Sequence, residues 1–364
     1  MGISGAYQKV DDLMNQAVDR LVFPGAVLLV AVQGSIVIER AYGSADLFSR
    51  RPITCSTVFD LASLTKPLAT TLAVMRLVQE GRLDLDQPCR HFWPDFFRED
   101  KALITARQLL CHSSGLPPWR PYYLRLRLLP NSIIRREILK KWVAKEALLS
   151  APGGRACYSD IGFLVLQWLV ERLADQPLDR YLERTVWKGM AANKLFFNPE
   201  SKAVREGMYA ATELCPWRGG LLLGRVHDDN AYVLGGVTGH AGLFGTARAV
   251  WRLLQSMLSV DVGESAGELV DRELLKHFFR RQNGTTWALG FDTPDEENSS
   301  AGRYFGNHSI GHLGYTGTSF WMERQKGVVV ILLTNRVHPT RYNTRIRKFR
   351  PILHDAVMEA AGPI

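Results

Sequence analysis

Residues 59–66 read Phe-Asp-Leu-Ala-Ser-Leu-Thr-Lys, and they contain Ser63 and Lys66, the only S-x-x-K pattern in the sequence. At the start of a helix this spacing places both side chains on one face of the first turn. A hydroxyl is a weak nucleophile until a base takes its proton, and an amine with the ordinary lysine pKa of about 10.4 is protonated at neutral pH. We expect burial beside apolar side chains such as Leu68 to lower that pKa. The pattern therefore predicts an activated serine, while a surface serine and lysine is the alternative as long as the pattern stands alone.

Two further segments carry chemistry. Residues 157–160 (CYSD) lie just before a strongly apolar helix, where Tyr158 can relay a proton between a nucleophile and a leaving group. Asp160 has a simpler alternative role as the N-cap of that helix. Residues 311–317 (GHLGYTG) lie at the end of a predicted strand, and their small residues allow a substrate to lie close to the strand edge. Each segment alone predicts a turn or a cap, but the three in this order favour a hydrolase site.

The hydrophobic pattern places strands at both ends of the chain and helices between them. We predict an antiparallel sheet built from the N- and C-terminal segments and flanked by helices, with a mostly helical lobe beside it. Residues 1–81 and 280–364 would form the α/β sheet domain, and residues 82–279 the inserted helical domain, with the active site in the cleft between them. The predicted strands are 26–32, 35–42, 287–291, 304–310, 319–323 and 328–334, and the predicted helices are 7–21, 64–79, 106–111, 132–148, 161–174, 178–186, 246–258 and 351–361.

The sequence resembles the serine β-lactamase and penicillin-binding-protein superfamily, in the class C β-lactamase-like branch that includes D-alanyl-D-alanine carboxypeptidases, esterases and peptide amidases. The resemblance extends over about residues 20 to 355. It implies an α/β fold of the α+β type, as in β-lactamases and transpeptidases. Besides the three segments above, it is carried by residues 104–117 (ITARQLLCHSSGLP), 158–190, 234–249 (LGGVTGHAGLFGTARA) and 316–338 (TGTSFWMERQKGVVVILLTNRVH).

By position, the resemblance implies that Ser63 is the acylated nucleophile, Lys66 its proton partner, and Tyr158 the second base and acid. The backbone N–H groups of Ser63 and Tyr315 would form the oxyanion hole. The implied reaction proceeds through an acyl-enzyme on an ester or an amide.

The same resemblance assigns substrate contacts to Asp160 and to the strand residues His312, Leu313 and Gly314. Two of these residues depart from the family pattern. Asp160 stands where the family usually has asparagine, and Leu313 stands where it usually has threonine, so a side-chain amide and a hydroxyl are missing. A strand with histidine in place of the family's lysine, and without that threonine, suits β-lactams poorly. We therefore expect an esterase, D-amino-acid peptidase or muropeptide amidase, with at most weak β-lactamase activity.

Other candidate sites in the sequence are weaker. Residues 263–267 (GESAG) match the G-x-S-x-G nucleophile elbow, but that elbow needs a strand before it and a helix after it, so we do not expect Ser265 to be the nucleophile. We expect His112 to be a structural loop residue and His240 to belong to the wall of the site. His227 has two aspartates after it, yet no third ligand has convincing spacing for a metal. We predict no metal and no organic cofactor.

Composition limits the class of partner. Apolar residues make up 46% of the chain and charged residues 22%, which is typical of a soluble globular protein. The formal net charge of +9 permits weak contact with anionic surfaces, but no nucleic-acid motif accompanies it. The five cysteines are widely spaced and are interpreted as reduced thiols. Residues 1–19 lack the features of a secretory signal, so we expect a cytoplasmic protein.

The sequence thus predicts a serine hydrolase that acts on a small-molecule or peptide substrate. The alternative is a catalytically silent protein that binds peptidoglycan fragments or D-amino-acid peptides in the same cleft, because the departures at Asp160 and Leu313 alter the site.

Overall fold

The fold centres on a six-stranded antiparallel sheet in the order β3-β2-β1-β11-β10-β9. The computed structural model describes residues 5–187, 195–198, 206–264, 270–297 and 299–362. The sheet joins the two ends of the chain, since β1 pairs with β11 along its length, from Ala26 opposite Thr334 to Val32 opposite Val328. The strands are β1 (Gly25–Val32), β2 (Ser35–Asp46), β3 (Arg51–Pro52), β4 (Phe59–Asp60), β5 (Phe196–Phe197), β6 (Leu214–Cys215), β7 (Gly220–Leu221), β8 (Leu243–Gly245), β9 (Ile310–Leu313), β10 (Ser319–Glu323) and β11 (Val328–Thr334).

Both faces of the central strands are covered by helices. Alternate residues of β1 enter two different hydrophobic clusters, with Leu29 on the face toward the main core and Leu28 on the face toward α1 and α11. This double burial explains why β1 and β11 are continuous apolar runs rather than alternating ones. The helices are α1 (Gln8–Asp19), α2 (Thr71–Gln79), α3 (Ala106–Leu110), α4 (Tyr123–Leu126), α5 (Ser132–Ala144), α6 (Asp160–Ala174), α7 (Leu178–Thr185), α8 (Asp229–Val233), α9 (Ala247–Val262), α10 (Arg272–Phe279) and α11 (Ile346–Ala361).

The predicted fold class is confirmed, and most predicted helices agree within a few residues. The hairpin between β1 and β2 turns at Gln33 and Gly34, whose φ angles of 46° and 76° suit the right-handed twist of the strands. Gly81, with φ 69°, ends the helix that follows the S-x-x-K segment, as predicted.

Some predicted elements are wrong. Residues 287–291 form no strand, since only Trp287 makes an isolated bridge, to Asp292, and the strand predicted at 304–310 begins only at Ile310. The structure also contains short strands that were not predicted, and three of them, β4, β8 and β5, form a small sheet. Aromatic side chains in the segments around Trp287 and Tyr304 gave a strand signal, but the first of these rings packs beside the site and the second is half exposed.

The structure bears on three further expectations. All five cysteines are free thiols. Ser265 lies outside the described residues, although Gly263 ends α9 in a left-handed conformation just before it. Among the described residues, no helix combines the length and apolar composition needed to cross a bilayer.

Candidate active site

Ser63 lies on a single helical turn that follows β4. The turn is held in place by buried hydrogen bonds: the Asp60 carboxylate accepts from the backbone N–H of Ala62 at 2.9 Å, and the hydroxyl of Thr318 donates to the carbonyl of Leu61 at 3.1 Å. Ala62 has a φ of 48°, a conformation that is costly for a residue with a side chain. Strained backbone that neighbouring bonds hold fixed is common at functional sites. The fold therefore fixes the position of the Ser63 hydroxyl.

Lys66 begins the next helical turn, and its side chain is completely buried. Its Nζ donates to Ser63 Oγ at 3.2 Å, to Asp160 Oδ1 at 2.6 Å and to the carbonyl oxygen of His240 at 3.3 Å. The ammonium group thus has an acceptor in each of three directions, and the spacing predicted for Ser63 and Lys66 is realised as a direct contact.

The expected net lowering of the Lys66 pKa is wrong, although the expected effect of burial is present. Burial does lower the pKa of the amine, but the Asp160 carboxylate and the Tyr158 hydroxyl outweigh it, so that the pKa of Lys66 lies above its ordinary value. An opposite charge at hydrogen-bond distance favours the charged form. The carboxylate that replaces the family's asparagine is therefore what keeps Lys66 protonated.

The loop that carries Tyr158 is tied down by Ser159. Ser159 is the N-cap of α6, because its hydroxyl accepts from the backbone N–H of Gly162 at 3.0 Å. The same hydroxyl donates to the carbonyl of Pro117, and the Ser159 backbone N–H donates to His112 Nδ1 at 3.1 Å. Asp160 is the first residue of the helix, so the alternative role of Asp160 as a cap is wrong and its side chain is available to the site.

Tyr158 packs among aromatic rings and lines two cavities together with Ser63. Its ring lies 4.6 Å from that of His112 and 5.4 Å from that of Trp287, centroid to centroid, with Lys66 Nζ 4.7 Å from its own centroid. Burial raises the pKa of Tyr158 despite the lowering effect of Lys66. At neutral pH the residue is a phenol that has a proton to give.

The end of β9 lies against the Ser63 turn. A side chain at Gly314 would place its Cβ 2.0 Å from Thr318 Oγ1 and 2.8 Å from the carbonyl oxygen of Leu61, so only glycine permits this approach. Among the described residues, the backbone N–H groups of Ser63 and Tyr315 have no protein acceptor. Two free N–H groups beside a nucleophile can bind a developing oxyanion.

A first cavity of about 350 Å³ opens on one side of Ser63. We call it the carboxylate pocket, and its polar wall includes Asp160, Asp228 and His240. Asp228 Oδ1 lies 3.0 Å from His240 Nε2, and interactions with His240 hold the pKa of Asp228 well below its usual range despite burial. The full lining is Ala62, Ser63, Trp119, Tyr158, Asp160, His227, Asp228, Asp229, His240, Ala241, Tyr315 and Arg341.

A second cavity, also of about 350 Å³, opens on the other side of Ser63. We call it the arginine pocket after Arg336, Arg347 and Arg350. Burial, together with the other two arginines, lowers the pKa of Arg350 to about 9. Burial raises the pKa of Asp292, in the same wall, to about 7. The full lining is Ser63, Tyr158, Trp287, Asp292, His312, Leu313, Gly314, Tyr315, Arg336, Thr344, Ile346, Arg347 and Arg350.

The structure therefore brings every predicted site residue to one place. Tyr158 and Tyr315 line both cavities with Ser63, Asp160 lines the first, and the three strand residues line the second: His312, Leu313 and Gly314. Burial and the nearby Lys66 lower the pKa of His312 to about 3, so that this imidazole is neutral.

Sequence reasoning missed the carboxylate pocket's histidine and aspartate as a pair. Asp160, Asp228 and His240 each bring one ligand atom to within 4.8 Å of the others. The sequence around His227 predicts no metal ligand set, because these three residues come together only in the fold. Two carboxylates and an imidazole can ligate a divalent cation, which here would compete with Lys66 for Asp160. The prediction that the protein uses no metal is untested and stays a prediction.

His112 has the structural loop role predicted for it, and the loop that it supports is the one that carries Tyr158. His112 is buried with a φ of 60° and touches Tyr158, Phe163 and Trp287 with its ring. It holds the Tyr158 loop through Ser159. The available signal was its position in the HSSGLP segment that carries the family resemblance.

Comparison with known proteins places this site in a family. The Beta-lactamase family model matches residues 10–351. A Bacillus subtilis protein named N-acetylmuramyl-L-alanine amidase is 32% identical over 360 residues, which cover 91% of this chain and 81% of that protein. A Salmonella agona protein provisionally named D-alanyl-D-alanine carboxypeptidase is 30% identical over 361 residues, with coverages of 89% and 81%.

A solved structure supports the same fold. EstCE1, described as a hydrolase with promiscuous acyltransferase activity, superposes with a TM-score of 0.73 at 22% identity, covering 95% of this chain and 98% of its own. Since the family model spans nearly the whole chain and the curated relatives are at least 30% identical over most of it, the chain belongs to the Beta-lactamase family and is a serine hydrolase that acts through an acyl-enzyme.

Proposed function

We propose that Ser63 is the acylated nucleophile and that it hydrolyses an amide bond in a peptidoglycan-type peptide with an anionic part. The observation that carries this proposal is the contact of Ser63 Oγ with Lys66 Nζ at 3.2 Å, with the Tyr158 ring centroid 4.7 Å from the same Nζ. This group of three side chains lies where the two pockets meet.

In this mechanism Asp160 must accept a proton before Ser63 can be activated. Lys66 and Tyr158 are both protonated at rest, so neither can accept the proton of Ser63 directly. Lys66 first moves a proton to Asp160 along their 2.6 Å hydrogen bond and then accepts the proton of Ser63. A carboxylate at this distance can accept the proton of the ammonium group directly.

The covalent steps then balance. The bond from Ser63 Oγ to the carbonyl carbon forms while the N–H groups of Ser63 and Tyr315 stabilise the oxyanion. The C–N bond breaks as Tyr158 gives its proton to the leaving amine, and Lys66 returns the serine proton to Tyr158. Water attacks the ester carbonyl and the bond to Ser63 Oγ breaks, with one proton of the water passing to Ser63. Asp160 returns its proton to Lys66, and the products are a free acid and an amine.

The arginine pocket supports an anionic substrate. Arg350 donates to the carbonyls of Thr318 and Gly314 at 3.0 and 3.4 Å, and Arg336 donates to the carbonyls of Tyr315 and Arg341 at 2.8 and 2.9 Å. Among the described residues, no carboxylate forms an ion pair with either of them, and a bidentate carboxylate is the partner that guanidinium groups prefer. Peptides with free carboxylates, such as those in the names of the two relatives, would supply it.

The first test uses p-nitrophenyl acetate, with release of p-nitrophenol followed by absorbance and acid-quenched peptides mapped by mass spectrometry. We expect an acetyl group on the Ser63 peptide of the wild-type protein and none in Ser63→Ala. The matched control is Ser56→Ala, an exposed serine that lines neither pocket. An adduct on Ser265, or no adduct with undiminished release, would contradict the assignment of Ser63.

A further inference from the structure

We propose that α4, α5 and the turn between them dock onto a lipid bilayer that contains anionic phospholipids. We call this surface, which residues 123–145 form, the basic-apolar face. The proposal does not depend on the substrate or on the role of Ser63, because it concerns a surface away from the catalytic side chains. It assigns the contact with anionic surfaces, which the net charge permits, to one part of the fold.

The apolar part of this face lies around the turn between the two helices. The turn carries the two most exposed aliphatic side chains of the described residues, Leu128 at 77% and Ile133 at 74%. Leu124 and Ile134 are also exposed, and Leu124 lies one helical turn before Leu128, on the same side. A single exposed leucine is ordinary on a protein surface. Four large aliphatic side chains exposed on two consecutive helical segments indicate an interaction surface.

Hydrogen bonds hold the turn between α4 and α5 in place. Both Nε and Nη2 of Arg135 donate to the carbonyl of Leu129, at 3.0 and 2.8 Å. The side chain of Asn131 caps α5 by accepting from the backbone N–H of Ile134 at 3.0 Å. The exposed leucine and isoleucine therefore belong to a turn that is already ordered. Little conformational entropy is lost when such a turn binds a partner.

The same segment carries most of the excess positive charge of the protein. Residues 123–145 contain seven basic side chains and one acidic one, which gives +6 of the net +9 of the chain. The single acid, Glu137, is already paired with Lys140 at 2.7 Å. Four basic side chains are exposed and form no ion pair with any described residue: Arg125, Arg127, Lys141 and Lys145. The face therefore has unpaired cations close along the chain to its exposed apolar side chains.

An anionic bilayer matches both parts of this pattern. Its phosphate groups attract arginine and lysine at the surface, and the acyl chains just below them accept leucine and isoleucine side chains. An acidic polymer would leave the apolar side chains in water. A second copy of the chain, related by a two-fold axis, would bring the same unpaired cations opposite each other. Charge complementarity therefore favours the lipid.

The basic-apolar face adjoins the substrate cleft. At the start of α4, the backbone N–H of Tyr123 donates to Asn230 Oδ1 at 2.9 Å. Asn230 lies in α8 next to Asp229, which lines the carboxylate pocket. A docked molecule would therefore hold its cleft near the lipid surface.

The experiment measures binding of the full chain to vesicles by flotation. One set of vesicles is phosphatidylcholine alone, and the other contains about one third phosphatidylglycerol, which supplies the anionic headgroups. The apolar variant is Leu128→Ser with Ile133→Ser. Its matched control is Val262→Ser with Ile352→Ser, two aliphatic side chains of α9 and α11 that are about half exposed.

A second pair of variants tests the charges. Lys141→Ala with Lys145→Ala removes two unpaired cations of the face, and Arg252→Ala with Lys348→Ala removes two exposed cations outside it. All of these positions are exposed, so we expect the variants to fold, and circular dichroism checks that they do. Sedimentation velocity without lipid measures whether each protein associates with itself.

We expect the wild-type protein to bind the anionic vesicles about tenfold or more tightly than phosphatidylcholine alone. This binding should weaken by about tenfold or more between about 0.1 M and 0.5 M salt. The Leu128→Ser, Ile133→Ser variant should lose about tenfold or more of the affinity, and so should the Lys141→Ala, Lys145→Ala variant. Each control should change the affinity by less than about threefold, since it leaves the face intact.

Three results would overturn the proposal. The first is no preference of the wild-type protein for the anionic vesicles, or an equal loss in a variant and its matched control. The second is unchanged binding when Leu128 and Ile133 are serine, which would reduce the contact to adsorption by charge alone. The third is a dimer in the absence of lipid that this variant abolishes, since the face would then bind a second copy of the chain.

Discussion

The carboxylate pocket and the arginine pocket have similar volumes, but the protein neutralises the charged side chains of only the first. In the carboxylate pocket, Asp160 and Asp228 have partners within 3.0 Å inside the protein. In the arginine pocket, Arg336 and Arg350 bond to backbone carbonyls, which satisfy their N–H groups without neutralising them. Uncompensated charge in a pocket indicates an oppositely charged ligand, whereas compensated charge with free lone pairs indicates a neutral, hydrogen-bonding one.

The largest effect is expected from removing the hydroxyl of Ser63, which lines both pockets. Ser63→Ala should lower kcat/KM by about 10³-fold or more, since loss of a catalytic nucleophile leaves only binding and oxyanion contacts. Because neither pocket loses a wall group that carries charge, binding of ligands to both should persist, which calorimetry would measure. If turnover by Ser63→Ala stayed within tenfold of the wild-type rate, Ser63 would not be the nucleophile.

The next prediction concerns the ion pair between Asp160 and Lys66. Asp160→Asn removes the charge that raises the pKa of Lys66, so burial should then lower that pKa. In the wild-type protein Asp160 takes the Lys66 proton, whereas in the variant Lys66 must lose that proton to solvent before it can accept the proton of Ser63. The kcat/KM of the variant should therefore fall toward acid pH through the lowered pKa of Lys66, more steeply than that of the wild type. A full pH–rate profile of both proteins measures it, with Asp179→Asn, a partly exposed position in the first turn of α7, as the control. Identical pH–rate profiles in the two proteins would contradict the role of Asp160 as the acceptor of the Lys66 proton.

The same substitution has a consequence for stability. Removing one partner of a buried ion pair costs at most about 3–5 kcal/mol in the free energy of unfolding, and deprotonation of Lys66 relieves part of this. The pKa of Lys66 is higher in the folded state than its unfolded value of about 10.4. This difference stabilises the folded protein, and the stabilisation is fully present below that pH. The difference between wild type and Asp160→Asn should therefore be largest below about pH 10 and shrink as pH rises further, as urea unfolding at several pH values would reveal.

A smaller effect tests the arginine half. Arg347 is exposed and lines the pocket, whereas its neighbour Lys348 is exposed and does not. Arg347→Ala should raise KM for an anionic peptide by about tenfold with kcat nearly unchanged, because it removes binding that does not change in the transition state. Lys348→Ala should leave both constants unchanged. Equal effects of the two substitutions would mean that general surface charge, and not this pocket, attracts the substrate.

The smallest effect should come from Asp292. Its pKa of about 7 means that it gains negative charge within the arginine pocket as pH rises from 6 to 8. KM for an anionic peptide should then rise by about two- to threefold over this interval, and Asp292→Asn should abolish the rise. A pH dependence of KM that persists in the variant would assign the titration to another group.

The sequence predicts contacts between side chains that are close along the chain, but not the pairing of side chains that only the fold brings together. Ser63 and Lys66 are three residues apart, so one helical turn determines their contact, and the apolar runs of β1 and β11 predict buried strands. Asp160 was expected at the site but as a substrate contact. Its pairing with Lys66 spans 94 residues, and the pKa of a buried amine depends on such distant partners more than on its own apolar neighbours. The pairing of Asp228 with His240 was equally invisible, because α8 and the following turn had to fold first.

The pairing of β1 with β11 also has a consequence for how the chain acquires its active site. About 300 residues separate the paired strands, so at ribosomal rates of about 5–20 residues per second β1 waits roughly 15 to 60 seconds for its neighbour. During that time one edge of an entirely apolar strand is unpaired, which is the arrangement most prone to pair with another chain. We expect nascent chains that stop short of Val328 to need a chaperone or to aggregate, and the hydrolase to become active only after its last strand has left the ribosome.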